Sequence, residues 1–167
     1  FYLNNNYEIF EIGIPRFYSL ITGLCILFLV SFYDDYLGIN PFIRLLIQIT
    51  ICFLCLSSLP FNLWNSMNQY VSFSKLNWLM IIYFWLFIIN LTNFFDGVDF
   101  IITIKLFFVS SIYLIIGLLE NNFILSNLSF ILLIASLILS FFNFYPAKFF
   151  LGDSGSIPLG FLLGWVF

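Results

Sequence analysis

Long apolar runs alternate with short polar segments along the whole chain. Phe17–Tyr33, Phe42–Leu59, Leu76 to about Phe95, Ile101–Leu119 and Phe123–Phe142 are each free or nearly free of charge, and Ile157–Phe167 begins another. A membrane-crossing helix needs about 20 mostly apolar residues, so each complete run predicts one span. The expected fold is all-α, a polytopic transmembrane helix bundle with about six spans in residues 1–167. No second domain fits between the runs, and no short-period repeat is visible. The chain starts at Phe1 and stops at Phe167 inside an apolar run. A single, partial transmembrane domain, cut at both ends, is therefore expected.

Counting crossings sorts the polar segments. If residues 1–16 lie on side X, then residues 34–41, 90–100 and 143–156 lie on side Y. Asp34, Asp35, Asp96, Asp99 and Asp153 all fall on side Y, with Arg44, Lys105 and Lys148 near it. Side X receives Glu8, Glu11, Arg16, Lys75, Glu120 and the polar, aromatic loop Pro60–Ser74. Three bases against two favour side Y as the cytoplasmic face.

Composition agrees with this pattern. Hydrophobic residues make up 63% of the chain and charged residues 8%, against about 45–50% and about 25% in soluble domains. A net charge of −3 lacks the clustered basic footprint of a nucleic-acid binder. With no His, zinc chemistry and a His general base are excluded within these residues. Cys25, Cys52 and Cys55 sit inside apolar runs. Cys52 and Cys55 form a lone CxxC and read as small core residues.

Three side-Y segments hold candidate chemistry. Asp34-Asp35 closes the first run, as a charged interfacial stop or as a metal- or phosphate-handling site. In Asn90–Asp99, the residues Asn90, Asn93, Asp96 and Gly97 share one helical face. Lipid offers polar groups no partners, so this stripe needs partners within the protein, which favours a functional reading over a surface loop. The sequon Asn90-Leu91-Thr92 lies too close to the membrane to be glycosylated. In Asn143–Ser156, glycines flank Asp153 and let the backbone turn tightly beside a ligand. Ser154–Ser156 then lead into a helix with Pro158 in its first turn, whose free N–H groups favour anions. A simply capped loop would use the same residues. Carboxylate and amide oxygens without His suit a hard cation such as Mg2+, which commonly bridges to substrate phosphates. The residues thus point to Mg-dependent phosphate chemistry at one membrane face, with Arg44, Lys105 and Lys148 adding positive charge.

These segments resemble motifs of the polyprenyl-phosphate N-acetylhexosamine-1-phosphate transferases, or glycosyl transferase family 4. Ser31–Arg44 resembles the aspartate-pair motif with its following Arg. Asn90–Asp99 resembles N-x-x-N-x-x-D-G-x-D-G, and Pro146–Ser156 resembles P-A-x-x-F-x-G-D-x-G-S. The resemblance implies transfer of N-acetylhexosamine-1-phosphate from a UDP-sugar to polyprenyl (undecaprenyl) phosphate, with release of UMP. It places the reaction at the cytoplasmic face of the inner membrane, as an opening step of cell-envelope polysaccharide synthesis. It implies that Asn93 and Asp153 hold Mg2+ and that Asp34 and Asp35 position the lipid phosphate. Asp96 and Asp99 would order the nucleotide side, while Asn90, Arg44, Lys148 and Gly152 bind substrate. Mn2+ in place of Mg2+ and a homodimer are compatible with the resemblance. Tyr36-Leu37-Gly38 lacks the Lys of the MurNAc-pentapeptide branch and favours the simpler hexosamine branch. Phe100 replaces the second Gly of the D-G-x-D-G pattern, so a local change of backbone is expected there. Two other readings are an ion-pathway or transporter subunit, whose acids would sit nearer mid-membrane, and an inactive family fragment.

Overall fold

The computed structural model describes the backbone of residues 4–58 and 75–165, with side chains for residues 17–58 and 78–165. Six helices account for nearly all of it: α1 (Asn4–Leu37), α2 (Pro41–Ser57), α3 (Lys75–Asp96), α4 (Ile101–Leu119), α5 (Phe123–Asn143) and α6 (Gly152–Trp165). No strand occurs among the described residues. The expected all-α bundle is thus the observed one. Four helices are long and apolar enough to cross a membrane, with windows at Phe17–Leu37, Trp78–Asp96, Ile101–Leu119 and Phe123–Asn143. Their outer faces carry Phe28, Leu29, Phe84, Phe108, Ile131 and other large apolar side chains in the open. Such a surface suits lipid as its solvent.

Two boundaries differ from the sequence reading. α1 runs back to Asn4, well before the apolar run, because extending an existing helix is far cheaper than nucleating one. α6 starts at Gly152 rather than after Ser156. Asp153 therefore lies in its first turn and Pro158 in its second. The expected side-X loop Pro60–Ser74 lies outside the described residues.

The helices pack as antiparallel neighbours, and small residues set the closest approach. α3 lies along α6, with α1 against α6 and α2, and α4 pairs with α5. A Cβ at Gly160 would come within 2.7 Å of the Ile89 Cα, and one at Gly164 within 2.1 Å of the Trp85 ring. Close backbone approach at small residues is how membrane helices gain contact in the absence of a hydrophobic drive. Trp85 stacks on Phe161 with centroids 5.0 Å apart, and its indole N–H donates to the Phe161 carbonyl at 2.9 Å. Leu20, Leu27, Ile51, Cys52 and Ile89 fill the core around this pair. Cys52 and Cys55 are buried free thiols, and Cys55 donates to the Ser19 carbonyl at 3.3 Å, consistent with small core residues. A second cluster, Leu106, Leu132 and Leu163, joins the α4–α5 pair to α6.

Candidate functional site

The three polar segments meet at one end of the bundle. Asp34 and Asp35 stand in the last turn of α1, and Arg44 in the first turn of α2. A tight turn links them: Asn40 caps α2 through the Phe42 N–H at 2.9 Å, and Pro41 opens the helix. Pro suits this position, where its missing N–H costs nothing. One terminal nitrogen of Arg44 donates to Asp34 Oδ2 at 2.7 Å and also to Asp153 Oδ2. The other Asp34 oxygen accepts the Ile39 N–H at 2.6 Å. Three helices thus contribute to one carboxylate–guanidinium–carboxylate bridge, half-buried throughout.

The start of α6 is capped by the protein's own acids. Asp96, 4% exposed, accepts the N–H groups of Leu151 at 3.0 Å and Gly152 at 2.7 Å. Asp35 accepts those of Asp153 at 3.2 Å and Ser154 at 3.0 Å. A helix N-terminus attracts anions, and the anions placed there are Asp35 and Asp96. This revises the expectation of free N–H groups awaiting a ligand. Gly152 supplies the turn, with φ +68, and faces Asp35 Oδ2, which would lie 3.4 Å from an added Cβ. Asp99 reaches the same loop through the Ala147 N–H at 3.3 Å.

Asn93 completes the cluster. Its Oδ1 accepts the Ser156 hydroxyl at 2.6 Å, and its side chain lies close enough to Asp153 to favour the ionised carboxylate. Burial pushes the Asp153 carboxyl above its ordinary value, while Arg44 and Asn93 pull it back down. Asn90 lies one turn further into the bundle, donating to Gln48 Oε1 at 3.1 Å and to the Leu86 carbonyl at 2.8 Å.

Two cations fall outside the bridge. Lys148 is exposed on the α5–α6 loop and forms no ion pair among the described residues. Lys105 was expected to add charge to the site. Its ammonium instead donates to Thr92 Oγ1 at 2.6 Å and lies 5.6 Å from the Phe95 ring centroid. Residue 105 of α4 meets the α3 stripe of Thr92 rather than that of Asn93.

Phe100 stands where the motif writes Gly. It has φ 65, the left-handed conformation that glycine adopts freely. Its N–H donates to Asn143 Oδ1 at 2.9 Å, and its ring meets Phe144 edge-on at 5.1 Å. Asn143 is 2% exposed and also donates to the Phe149 carbonyl at 3.0 Å, tying the α3–α4 turn to the α5–α6 loop. Neither Asn143 nor Gln48 was singled out from sequence. A polar residue inside an apolar run was the available signal for both.

Oxygen donors dominate the cluster, which is the chemistry Mg2+ takes. Asp153 and Asn93 fit one edge of such a site. Arg44 now neutralises Asp153, so a cation there competes with the guanidinium. No group of three or more Cys, Asp or Glu side chains among the described residues has metal-holding geometry. A divalent ion held there would fill the rest of its shell with water or substrate oxygens.

Comparison with known proteins agrees with these motifs. The family glycosyl transferase family 4 matches residues 17–167. The phospho-N-acetylmuramoyl-pentapeptide-transferase of Streptococcus uberis is 31% identical over 163 residues, covering 87% of this chain and 48% of that protein. The enzyme of the same name from Campylobacter jejuni is 28% identical over 156 residues, covering 80% and 44%. A probable undecaprenyl-phosphate N-acetylglucosaminyl 1-phosphate transferase of Bacillus subtilis is 25% identical over 149 residues, covering 87% and 42%. The chain spans about half the length of these curated relatives. No solved structure matches it significantly. The matched span takes in every motif that forms the carboxylate cluster, and the chain belongs to glycosyl transferase family 4.

Proposed function

We propose that the protein carrying this chain transfers an N-acetylhexosamine-1-phosphate unit from a UDP-sugar to a polyprenyl phosphate at the cytoplasmic face of the inner membrane, using Mg2+. The supporting observation is the convergence of Asp34, Arg44 and Asp153, from three helices, at one end of the bundle. Family membership and the names of the relatives support the reaction class.

In the proposed reaction, an oxygen of the lipid phosphate attacks the β-phosphorus of the UDP-sugar. The bond from that phosphorus to the UMP oxygen breaks, leaving a lipid-linked sugar diphosphate and UMP. A phosphate with a second pKa of about 6 is already largely ionised at neutral pH. A strong base is unnecessary, and the protein's task is positioning and charge neutralisation. Mg2+, held by Asp153 and Asn93, would supply the positive charge that the diphosphate needs. Arg44 offers a guanidinium to phosphate oxygens once it leaves a carboxylate. Asp34 and Asp35 border the place where the lipid phosphate arrives, and Asp35 also holds the α6 start. Asp96 and Asp99 keep the α5–α6 loop in place beside the nucleotide, with Asn90, Lys148 and Gly152 completing the substrate contacts.

The test is UMP release by membranes containing the full-length protein, undecaprenyl phosphate and Mg2+, screened across UDP-N-acetylglucosamine and other UDP-N-acetylhexosamines, the MurNAc-pentapeptide form included. Release should require both lipid and metal, and Asp153→Asn should abolish it. Activity retained in Asp153→Asn would remove that residue from the metal site. Silence of folded protein with every donor would overturn the transferase reading in favour of an ion pathway or an inactive relative.

A further inference from the structure

Gln48 is a primary amide in the middle of an apolar helix, 1% exposed. Its Oε1 accepts one hydrogen from Asn90 Nδ2, and its own Nε2 is buried without a partner. A glutamine kept only for stability would spend both ends of its amide, since an unpaired buried donor is costly. An apolar residue of the same shape would avoid that cost. The hydrogen bond that Gln48 does make therefore calls for another explanation.

The direction of this bond follows from its far end. Asn90 also donates to the Leu86 carbonyl, and a backbone carbonyl can only accept. Asn90 must turn its NH2 group towards Leu86, so Gln48 must present its oxygen. Both Asn90 hydrogens are then spent, and its Oδ1 is left without a partner among the described residues. Asn90 lies one turn from Asn93, and Gln48 one turn from Arg44. Spacings of three and four residues keep each pair on one helix face. The same two helices that bring Arg44 and Asn93 to Asp153 thus bring Gln48 to Asn90, one turn deeper. Ser31, one turn deeper than Asp34 and 1% exposed, is likewise buried with an unpartnered hydroxyl.

We propose that Gln48 is a positioning residue for the transferase site: it locks the Asn90 amide so that the Asn90 carbonyl oxygen is offered beneath the Asp34–Arg44–Asp153 bridge. This inference rests on the transferase reading. Gln48 touches no reacting atom and acts through Asn90.

The experiment compares wild-type full-length protein with Gln48→Met, Asn90→Ala and the double variant in membranes. It follows UMP release against UDP-sugar concentration and thermal unfolding in detergent. Gln48→Met keeps the side chain's length and removes the acceptor. Its kcat should fall about tenfold or more, the scale usual for partners that orient a site ligand. Its KM for the UDP-sugar should stay within about twofold, and its unfolding midpoint should not drop. Residues acting as one unit are non-additive, so the double variant should be no slower than Asn90→Ala by more than about twofold. An unchanged kcat in Gln48→Met would overturn the proposal. So would losses that multiply in the double variant, or a kcat loss that comes with a lowered unfolding midpoint. If wild type releases no UMP from any donor, the transferase reading itself fails and the proposal falls with it. An active wild type with an equally active Gln48→Met removes Gln48 alone.

Discussion

Phe100 holds φ 65 at the entrance to α4, where an L-residue bears roughly 1–2 kcal/mol of steric cost. Two local contacts offset it. The Phe100 N–H is satisfied by Asn143, and the edge-on ring pair with Phe144 contributes about 0.5–1.5 kcal/mol. Phe100→Gly removes the strain and the ring contact together, so its unfolding free energy in detergent should lie within about 1 kcal/mol of wild type. Phe100→Val keeps the strain, adds a branched Cβ and loses the ring. It should destabilise by about 2 kcal/mol. Equal stability of the Gly and Val variants would show that residue 100 carries no strain. Where the family motif writes Gly, this chain has a Phe whose neighbours stabilise a left-handed backbone.

At the scale of elements, the α3–α6 pair governs the site. Asn93–Ser156, Ile89–Gly160 and Trp85–Gly164 form successive rungs of one antiparallel contact. Gly160→Ala puts a methyl group 2.7 Å from the Ile89 Cα and 3.0 Å from the Ile89 carbonyl oxygen. Backbone cannot swing aside as a side chain does, so the helices must separate. Overpacking of this kind costs about 1–3 kcal/mol. It should also slow UMP release, because Asn93 and Ser156 sit one turn away on the same interface. A variant with wild-type unfolding and turnover would show that the helix contact is looser than the geometry implies. Much of this architecture was legible beforehand. The apolar run Ile101–Leu119 is helix α4 end to end, because a stretch of that length whose one charge, Lys105, finds a partner in Thr92 has one low-energy solution in lipid. The co-location of Asp34, Arg44, Asn93, Asp96 and Asp153 followed from counting crossings. The division of labour among them did not. Asp35 and Asp96 sit on the α6 start because α6 opens at Gly152, a boundary that Pro158 had suggested was later. Lys105 turns to Thr92 through the rotation of α4 about its axis, which span counting does not reveal. Gln48 found Asn90 across a helix pair, and no local spacing encodes that meeting.

For the molecule as a whole, the remaining question is which way the bundle faces. The carboxylate end gathers every described Asp, and Arg44, Lys105 and Lys148 lie near it, whereas Arg16 and Lys75 lie at the other end by crossing parity. Positive charge favours the cytoplasm, and the proposed nucleotide-sugar donor would be cytoplasmic, so the proposed orientation turns the Asp34–Arg44–Asp153 end inward. The α4–α5 turn provides the opposite marker. Asn121 is exposed there, one full span from Tyr145, which is 77% exposed beside the cluster. In the full-length protein with its native cysteines, Cys25, Cys52 and Cys55 among them, replaced by Ala, a cysteine introduced by Tyr145→Cys should react with a membrane-impermeant maleimide only when the cytoplasmic face is opened. Asn121→Cys should react from the outer face of intact cells. The reverse pattern would place the carboxylate cluster away from the nucleotide pool and defeat the transferase reading, even with the fold intact. Labelling of both positions from one side would mean that α5 does not cross, and the crossing count that brought the three motifs together would fail with it.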